Sequence, residues 1–420
     1  MRVADDDLLR LLEAGLGGDE TLLLDAVRAG AEDRGTAVYL VGGAVRDLLI
    51  GRMSPDWDVA VEGDAIGLAR EVARRLGLER PVVHEAFGTA TVTLGGAHVD
   101  LITTRQEEYP EPGALPVVRL STLADDLARR DFTINAMALG LSGAQTGDLV
   151  DPYGGVSDLH AGVIRVLHEG SFRDDATRLL RAARYAARFR FSLERETERL
   201  AHRNRAFLAT ISPARVRNEF ERAFAEPRPA AVFRLMQRLD LPPALLPELR
   251  FGERTLTGLR RLSEAEWRDG ALPWLVPVLR WQENRLTRYV ERFALMHNEA
   301  RAVRAIPRVR SALATLARDD AGPSKIVAKL DGLPEPALCA WVRWAPRSRS
   351  GMIARRYLDE LRHVRPLLTS EDLKRMGVAE GPLFGEVVRA LRAARLDDPT
   401  LTLDDEVRLV QDMVKQYPGA

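Results

Sequence analysis

Through about the first 170 residues, short β-branched apolar runs alternate with segments whose apolar positions fall at helical spacing. Ala37–Val41 is an unbroken run that stops at Gly42-Gly43, the pattern of a strand ending in a turn. Asp56–Val61 reads as a second strand. Thr89–Leu94 and His98–Thr103 read as a hairpin joined through Gly95-Gly96, a common tight-turn pair. Between them, Ala65–Leu76 carries its apolar residues on one helical face. Beyond about Glu169 the strand signals stop. Helical segments follow, punctuated by Ser212-Pro213, Glu226-Pro227, Leu241-Pro242-Pro243, Gly322-Pro323 and Gly381-Pro382. The expected fold class is α+β: an N-terminal head with a small mixed sheet and helices, then an all-α remainder. The expected divisions are a helical segment over 1–30, the head over 31–168, and helical parts over 169–240, 241–330 and 331–420. Trp267, Trp274, Trp281, Trp341 and Trp344 are expected to pack between helices.

Composition narrows the class. No run of about 18 uncharged apolar residues occurs, so no membrane span is expected. Met1–Arg10 is acidic and lacks a signal-peptide pattern. Cys339 is the only cysteine, which rules out a disulfide within the chain and is simplest in a cytoplasmic protein. The seven histidines show no metal-ligand spacing. With 61 basic and 61 acidic residues the net charge is zero, but the balance is local. Ser171–Arg222 holds 13 arginines and 7 acids, an excess of 13 − 7 = +6. A solvated helical face would account for such a run, and so would a polyanionic partner. The oligomeric state is left open.

The strongest chemical pattern is Gly42-Gly43-Ala44-Val45-Arg46-Asp47 followed by Asp56-Trp57-Asp58. Glycines after a strand let backbone approach a phosphate, the following helix start offers N–H groups, and Arg46 can add a charge-assisted bond. Asp56 and Asp58 are two apart on an expected strand, so both are expected on one face, where paired carboxylates suit a hard divalent cation. Two Mg²⁺ ions bound there could hold the attacking and leaving oxygens of a nucleotidyl transfer. Asp100, between apolar Val99 and Leu101, is a third acid that metal binding would explain; an edge position facing water is the alternative.

These residues resemble the first motif of the class II nucleotidyltransferases, which include CCA-adding enzymes and bacterial poly(A) polymerases within the polymerase β superfamily. The resemblance runs through nearly the whole chain. Arg129-Arg130-Asp131-Phe132-Thr133-Ile134-Asn135-Ala136-Met137-Ala138 is similar to the second family motif and implies that Arg130 touches the triphosphate or ribose. Asp151–Leu159 resembles the connector behind the head. Asp174–Tyr185 resembles the nucleotide-selecting helix. It implies that Asp175 and Arg178, three apart and therefore expected as neighbours on one helix, read the base edge, with Arg181 and Arg184 nearby. Ser212–Phe220 resembles the last motif, with Arg215 and Glu219 as an i,i+4 pair. Leu368–Gly385 resembles the tail, expected as two short helices meeting at glycines against RNA phosphates. The implied partners are ATP, CTP for members that use it, and tRNA gripped at its acceptor and T arm. The implied metal ligands are Asp56 and Asp58, with Asp100 as the third catalytic acid.

Two departures matter within the family. Glu85–Thr91 lacks the basic segment expected of a poly(A) polymerase. Arg105–Ser121 supplies a loop of the kind found in members that add A, whereas CC-only enzymes usually lack it. No adjacent His-Asp pair exists, so no fused metal-phosphohydrolase domain is expected. Full CCA addition, A-only addition and a catalytically silent RNA-binding relative all stay open at this point.

Overall fold

The computed structural model describes residues 5–54, 56–111, 113–114, 116–268 and 270–416. It divides into two compact units, Met1–Glu219 with Arg238–Leu245, and Phe220–Gln237 with Leu246–Ala420.

The first unit is built on a mixed sheet. Its strands are β1 (Val38–Val41), β2 (Asp58–Val61), β3 (Val82–His84), β4 (Thr89–Leu94) and β5 (Ala97–Thr103); β6 (Arg105–Glu108) and β7 (Val117–Leu120) pair separately, and β8 (Ala138–Gly140) and β9 (Leu149–Val150) complete it. The seven-stranded order is β3-β4-β5-β2-β1-β8-β9. β2 and β5 run parallel, while β1 is antiparallel to both β2 and β8. Side-chain alternation sorts the sheet into two faces. Leu40, Val59, Val61, Val99 and Leu101 pack against Leu8, Leu23, Val27, Leu68 and Val72 from the helices Asp5–Ala14, Gly18–Asp33 and Ala65–Arg75. Tyr39, Val41 and Ala60 face the other way, onto Leu123, Leu127 and Ala138. Asp58 belongs to that second, thinner face, because it precedes Val59 by one residue.

Three expectations need correcting here. The segment Arg105–Ser121 is not simply a loop: its ends form the antiparallel ladder β6–β7. Within it, Pro112 and Leu115 lie outside the described residues. Strands do not stop at Glu169, since β10 (Val163–Ile164) pairs in parallel with β11 (Ser192–Leu193). A two-residue strand is too short to leave an alternation signal. Finally, Asp174–Tyr185 is not one helix. It breaks into Ser171–Asp174 and Thr177–Phe189, with Asp175 extended between them (φ −135°, ψ 101°).

The second unit is helical throughout its described residues. Phe220, Phe224, Phe233, Trp267, Trp274 and Phe293 form an aromatic core, with Phe220 stacked on Trp274 at 5.6 Å and Phe233 on Trp267 at 5.9 Å. Its C-terminal part has a separate apolar cluster of Leu368, Leu373, Val378, Val387, Leu391 and Val410. Buried Glu406 ties it together by accepting the backbone N–H groups of Leu367 and Leu368. The two helices expected to be short differ in fact, Ser370–Arg375 having 6 residues and Pro382–Asp397 having 16. Among the described residues no helix is long and apolar enough to cross a membrane.

Candidate active site

The site grows from the start of β2. Asp58 pairs in register with Asp100 on the neighbouring parallel strand, so the two carboxylates leave the sheet on one face. Burial pushes the Asp58 carboxyl above its ordinary range; Arg130 opposes this, while the negative charges of Asp100, Asp56 and Asp126 add to it. Asp100 accepts a hydrogen bond from the Thr91 hydroxyl. Asp56 departs from expectation. It precedes the strand instead of lying on it, its side chain is 82% exposed, and it sits 3.8 Å from His98 Nε2. The strand starts at Asp58, so the shared-face argument fails for Asp56. Among the described residues no three His, Cys, Asp or Glu side chains converge closely enough to cage a cation. The donor chemistry still fits one: hard oxygen ligands, with an acid crowded by like charge.

Across from these acids lies the turn after β1. Gly42 has φ +71°, and a Cβ there would run into the guanidinium of Arg130. Only glycine gives both that backbone and that clearance. The helix Gly43–Leu49 follows directly. Arg46, expected as a phosphate donor, is already engaged. It is 4% exposed, bonds Asp47 and Asn135 through its guanidinium nitrogens, and stacks over Phe189 at 4.7 Å.

Three acids outside the expected site residues, Asp126, Glu107 and Asp131, hold Arg129, Arg130 and Arg181. Asp126, 1% exposed, accepts Arg129 at 2.7 Å and Arg130 at 2.9 Å on separate oxygens. Arg129 also reaches Glu107 at 2.7 Å, and Glu107 accepts the Tyr109 hydroxyl at 2.8 Å. Burial pushes Asp126 up, but Arg130 and Arg129 outweigh it and hold the carboxyl below its ordinary range. Asp131 behaves alike: burial raises it, and Arg181, with Asn135 and Arg178, brings it below. Its oxygens accept Arg181 Nε at 2.8 Å, Asn135 Nδ2 at 2.9 Å and the Phe132 N–H at 2.9 Å. The available signal was position: Asp126 and Asp131 flank the arginine pair, next to the apolar Phe132–Leu139 stretch that must be buried.

The helix break changes how Asp175 and Arg178 meet. Asp175, just ahead of the second helix, accepts the N–H and hydroxyl of Thr177 at 2.9 and 2.7 Å. It also accepts Arg215 at 2.7 Å, so Arg215 reaches Asp175, while Glu219 faces Arg181 at 3.7 Å and Arg184 at 3.6 Å. Arg178 donates to the Arg129 carbonyl at 2.6 Å and the Ser171 hydroxyl at 2.7 Å. A cavity of about 520 Å³ opens among these groups. It brings together Gly43, Arg46, Asp56, Asp58, Arg130, Asp175, Arg178 and Arg181, with Glu107, Tyr109, Asp131 and Asn135. Gly42, Asp100 and Arg184 are not among the residues that line it.

An open cavity that brings carboxylates and oriented guanidinium groups together suits a polyanion that arrives with divalent cations. That is the working requirement of phosphoryl- and nucleotidyl-transfer enzymes. Comparison with known proteins agrees and goes further. Residues 38–165 match the Poly A polymerase head domain, and residues 190–251 match a probable RNA and SrmB-binding site of polymerase A. The chain is 35% identical to an A-adding tRNA nucleotidyltransferase of Halalkalibacterium halodurans over 91% of its own length and 90% of that protein. It is also 35% identical to an A-adding tRNA nucleotidyltransferase of Geobacter sulfurreducens, covering 89% of this chain but 44% of that longer protein. Among solved structures, a Thermotoga maritima CCA-adding enzyme complexed with tRNA superposes with a TM-score of 0.81 at 28% identity, over 97% of this chain and 98% of that one. The chain belongs to the tRNA nucleotidyltransferase family.

Proposed function

We propose that this chain extends the 3′ end of tRNA with AMP from ATP, releasing pyrophosphate. The tRNA 3′ oxygen bonds to the α-phosphorus as the bond from that phosphorus to the β-phosphate bridging oxygen breaks. The observation that carries the reading is the in-register pair Asp58–Asp100 beside a cavity walled by Arg130, Arg178 and Arg181. Asp56 and Asp58 would hold Mg²⁺, which when bound neutralises triphosphate charge. Asp100 is the third acid. Arg130, fixed by Asp126, is placed for the triphosphate or ribose. Asp175 and Arg178 read the base edge, an acceptor beside a donor as adenine and cytosine require. Their geometry supports this through rigid anchoring: Arg178 is held by backbone and hydroxyl, Asp175 by Thr177 and Arg215. Arg181, clamped by Asp131, lines the same wall. Arg46, which lines the cavity while bonded to Asp47 and Asn135, and Arg184, set back beside Glu219, support it.

A-only addition is supported by the A-adding relative that matches over nearly its full length. The likeness to a CCA-adding enzyme supports a second reading, in which CMP from CTP is added first. The deciding experiment offers tRNA ending at the discriminator base, at C or at CC, with each nucleoside triphosphate separately. A-only activity requires extension of the CC-ending tRNA by ATP and no incorporation of CTP on any end. Incorporation of CTP on the discriminator end establishes the second reading. No incorporation anywhere, with Mg²⁺ present, would leave a silent relative.

A further inference from the structure

Several arginines on helices of this protein pair with an acid one turn away. Arg74 and Arg75 both reach Glu71, Arg199 reaches Glu196, Arg268 reaches Glu264, and Arg375 reaches Glu371 and Asp372. Such one-turn pairs neutralise charge locally on those helices.

The helix His297–Arg318 has no such pair along most of its length. From Ala300 to Arg318 it holds five arginines and no acid. Its inner face is apolar, burying Val303, Ile306, Val309, Leu313 and Leu316. On its outer face Arg301, Arg304 and Arg308 are exposed, and among the described residues none of the three makes an ion pair or side-chain hydrogen bond. At 100° per residue they fall within about 60° of one another, and Arg301 to Arg308 rises about 10.5 Å along the axis. His297, Ser311 and Thr315 continue the stripe without an acid, and it carries no Phe, Tyr or Trp. The first-turn acid, Glu299, accepts the Met296 N–H as a cap and lies off this face. Pro307 interrupts the helical hydrogen-bond ladder beside the stripe, and the helix continues through it.

An unneutralised row of guanidinium groups carries self-repulsion that a bound polyanion relieves. A stripe without aromatic side chains lacks the main platform for unpaired bases, while its guanidinium groups match phosphate oxygens, so it favours a phosphate backbone. Resting on the tRNA reading above, we propose that Arg301, Arg304 and Arg308 bind the phosphate backbone of a duplex arm of tRNA. The stripe lies outside residues 190–251, which match the probable RNA-binding family. An A-form duplex presents its phosphates along the outside and hides its bases, so this contact recognises shape rather than sequence. The arginines contribute to holding the RNA and take no part in the transfer itself.

The test uses the full chain with Arg301, Arg304 and Arg308 all changed to Gln, and a second variant with all three changed to Lys. Steady-state extension is measured with tRNA, with an acceptor–T-arm minihelix, and with a short single-stranded oligoribonucleotide of the same 3′ end. The Gln variant should raise KM for tRNA and minihelix by on the order of tenfold, with kcat and KM for ATP unchanged. The slope of log affinity against log salt should fall by about 3, one for each lost phosphate contact. The Lys variant should stay near wild type. Equal KM and equal salt slope in the Gln variant overturn the proposal. So does an equal loss on the single-stranded substrate, which would assign the stripe to unpaired RNA. If the Gln variant does not fold, Arg308→Gln alone should lower the slope by about 1, and an unchanged slope overturns the proposal. Wild type that extends no tRNA would defeat the functional reading instead, so the two failures are told apart.

Discussion

The cavity of the first unit and the outer face of helix His297–Arg318 are both rich in arginine, and they use it in opposite ways. In the cavity, Arg129 and Arg130 share Asp126, Arg181 lies on Asp131, and Arg178 is tied to a carbonyl and a hydroxyl. Along the helix, Arg301, Arg304 and Arg308 are bare. A reacting nucleotide must be held in one geometry, and preorganised donors incur no reorganisation at the moment of reaction. A long duplex needs only charge along its path, where mobile side chains in water suffice. In the cavity the pairing of arginine fixes geometry; along the helix its bareness leaves charge to act.

The largest effect should come from breaking a paired arginine at its buried partner. Asp131→Ala leaves Arg181 without its principal carboxylate and is expected to cost about 3–5 kcal/mol of stability in the first unit, as lost buried ion pairs do. Denaturant unfolding measures it, and a loss below about 1 kcal/mol would show that Asp131 is no keystone. Next comes Asp58→Ala. Even outer partners of metal ligands cost 10–100-fold, so direct removal of a carboxylate should lower incorporation on the order of a hundredfold or more, with circular dichroism unchanged. Near-normal turnover would remove Asp58 from the metal assignment.

Asp175→Ala and Arg178→Ala should each weaken discrimination between ATP and GTP or UTP by about 1.5–3 kcal/mol, a charged hydrogen bond each. The ratio of kcat/KM values reads this, and an unchanged ratio in both variants would sink the base-reading role. Arg178→Lys sharpens the contrast, since a point charge cannot replace a fork held at two anchors.

A smaller effect is acid lability at the cavity. Asp126 and Asp131 are both held below the ordinary carboxylate value of 3.8. A depressed carboxyl contributes stability that is present above its unfolded value and lost as pH falls through the folded one. Residues around Arg129–Asn135 should therefore lose amide protection below about pH 3.8, while helix His297–Arg318, which has no acid after Glu299, should not follow the same titration. Hydrogen exchange followed by segment distinguishes the two; parallel loss would mean global acid unfolding instead.

Local chemistry explains what was legible beforehand. β4, the hairpin at Gly95-Gly96 and the helix from Ala65 were readable because alternation and helical spacing are properties of neighbouring residues. Asp56 was misplaced because a carboxylate two residues before another looks the same on a strand or ahead of it. Spacing alone puts Asp175 and Arg178 on one helix, and nothing in the sequence marks the break, because an extended Asp ahead of a helix differs from a helical one only in backbone angle. Asp126, Asp131 and Glu107 were passed over as site residues, since a buried carboxylate and a solvated one are spelled alike.

The sequence by itself determined the sheet-bearing head, the helical remainder, the glycine turn, and the residue types at Asp58, Asp100, Arg130 and Arg178, through periodicity, turn chemistry and family motifs. Tertiary structure alone decided which charge meets which. Asp58 stands beside Asp100 because two strands 42 positions apart pair in parallel register. Arg178 rests on the carbonyl of Arg129, 49 positions away, and Arg181 on Asp131, 50 away. Coulomb interactions fall with distance in space and are indifferent to distance along the chain, so the state of each arginine, clamped or bare, exists only once the chain has folded.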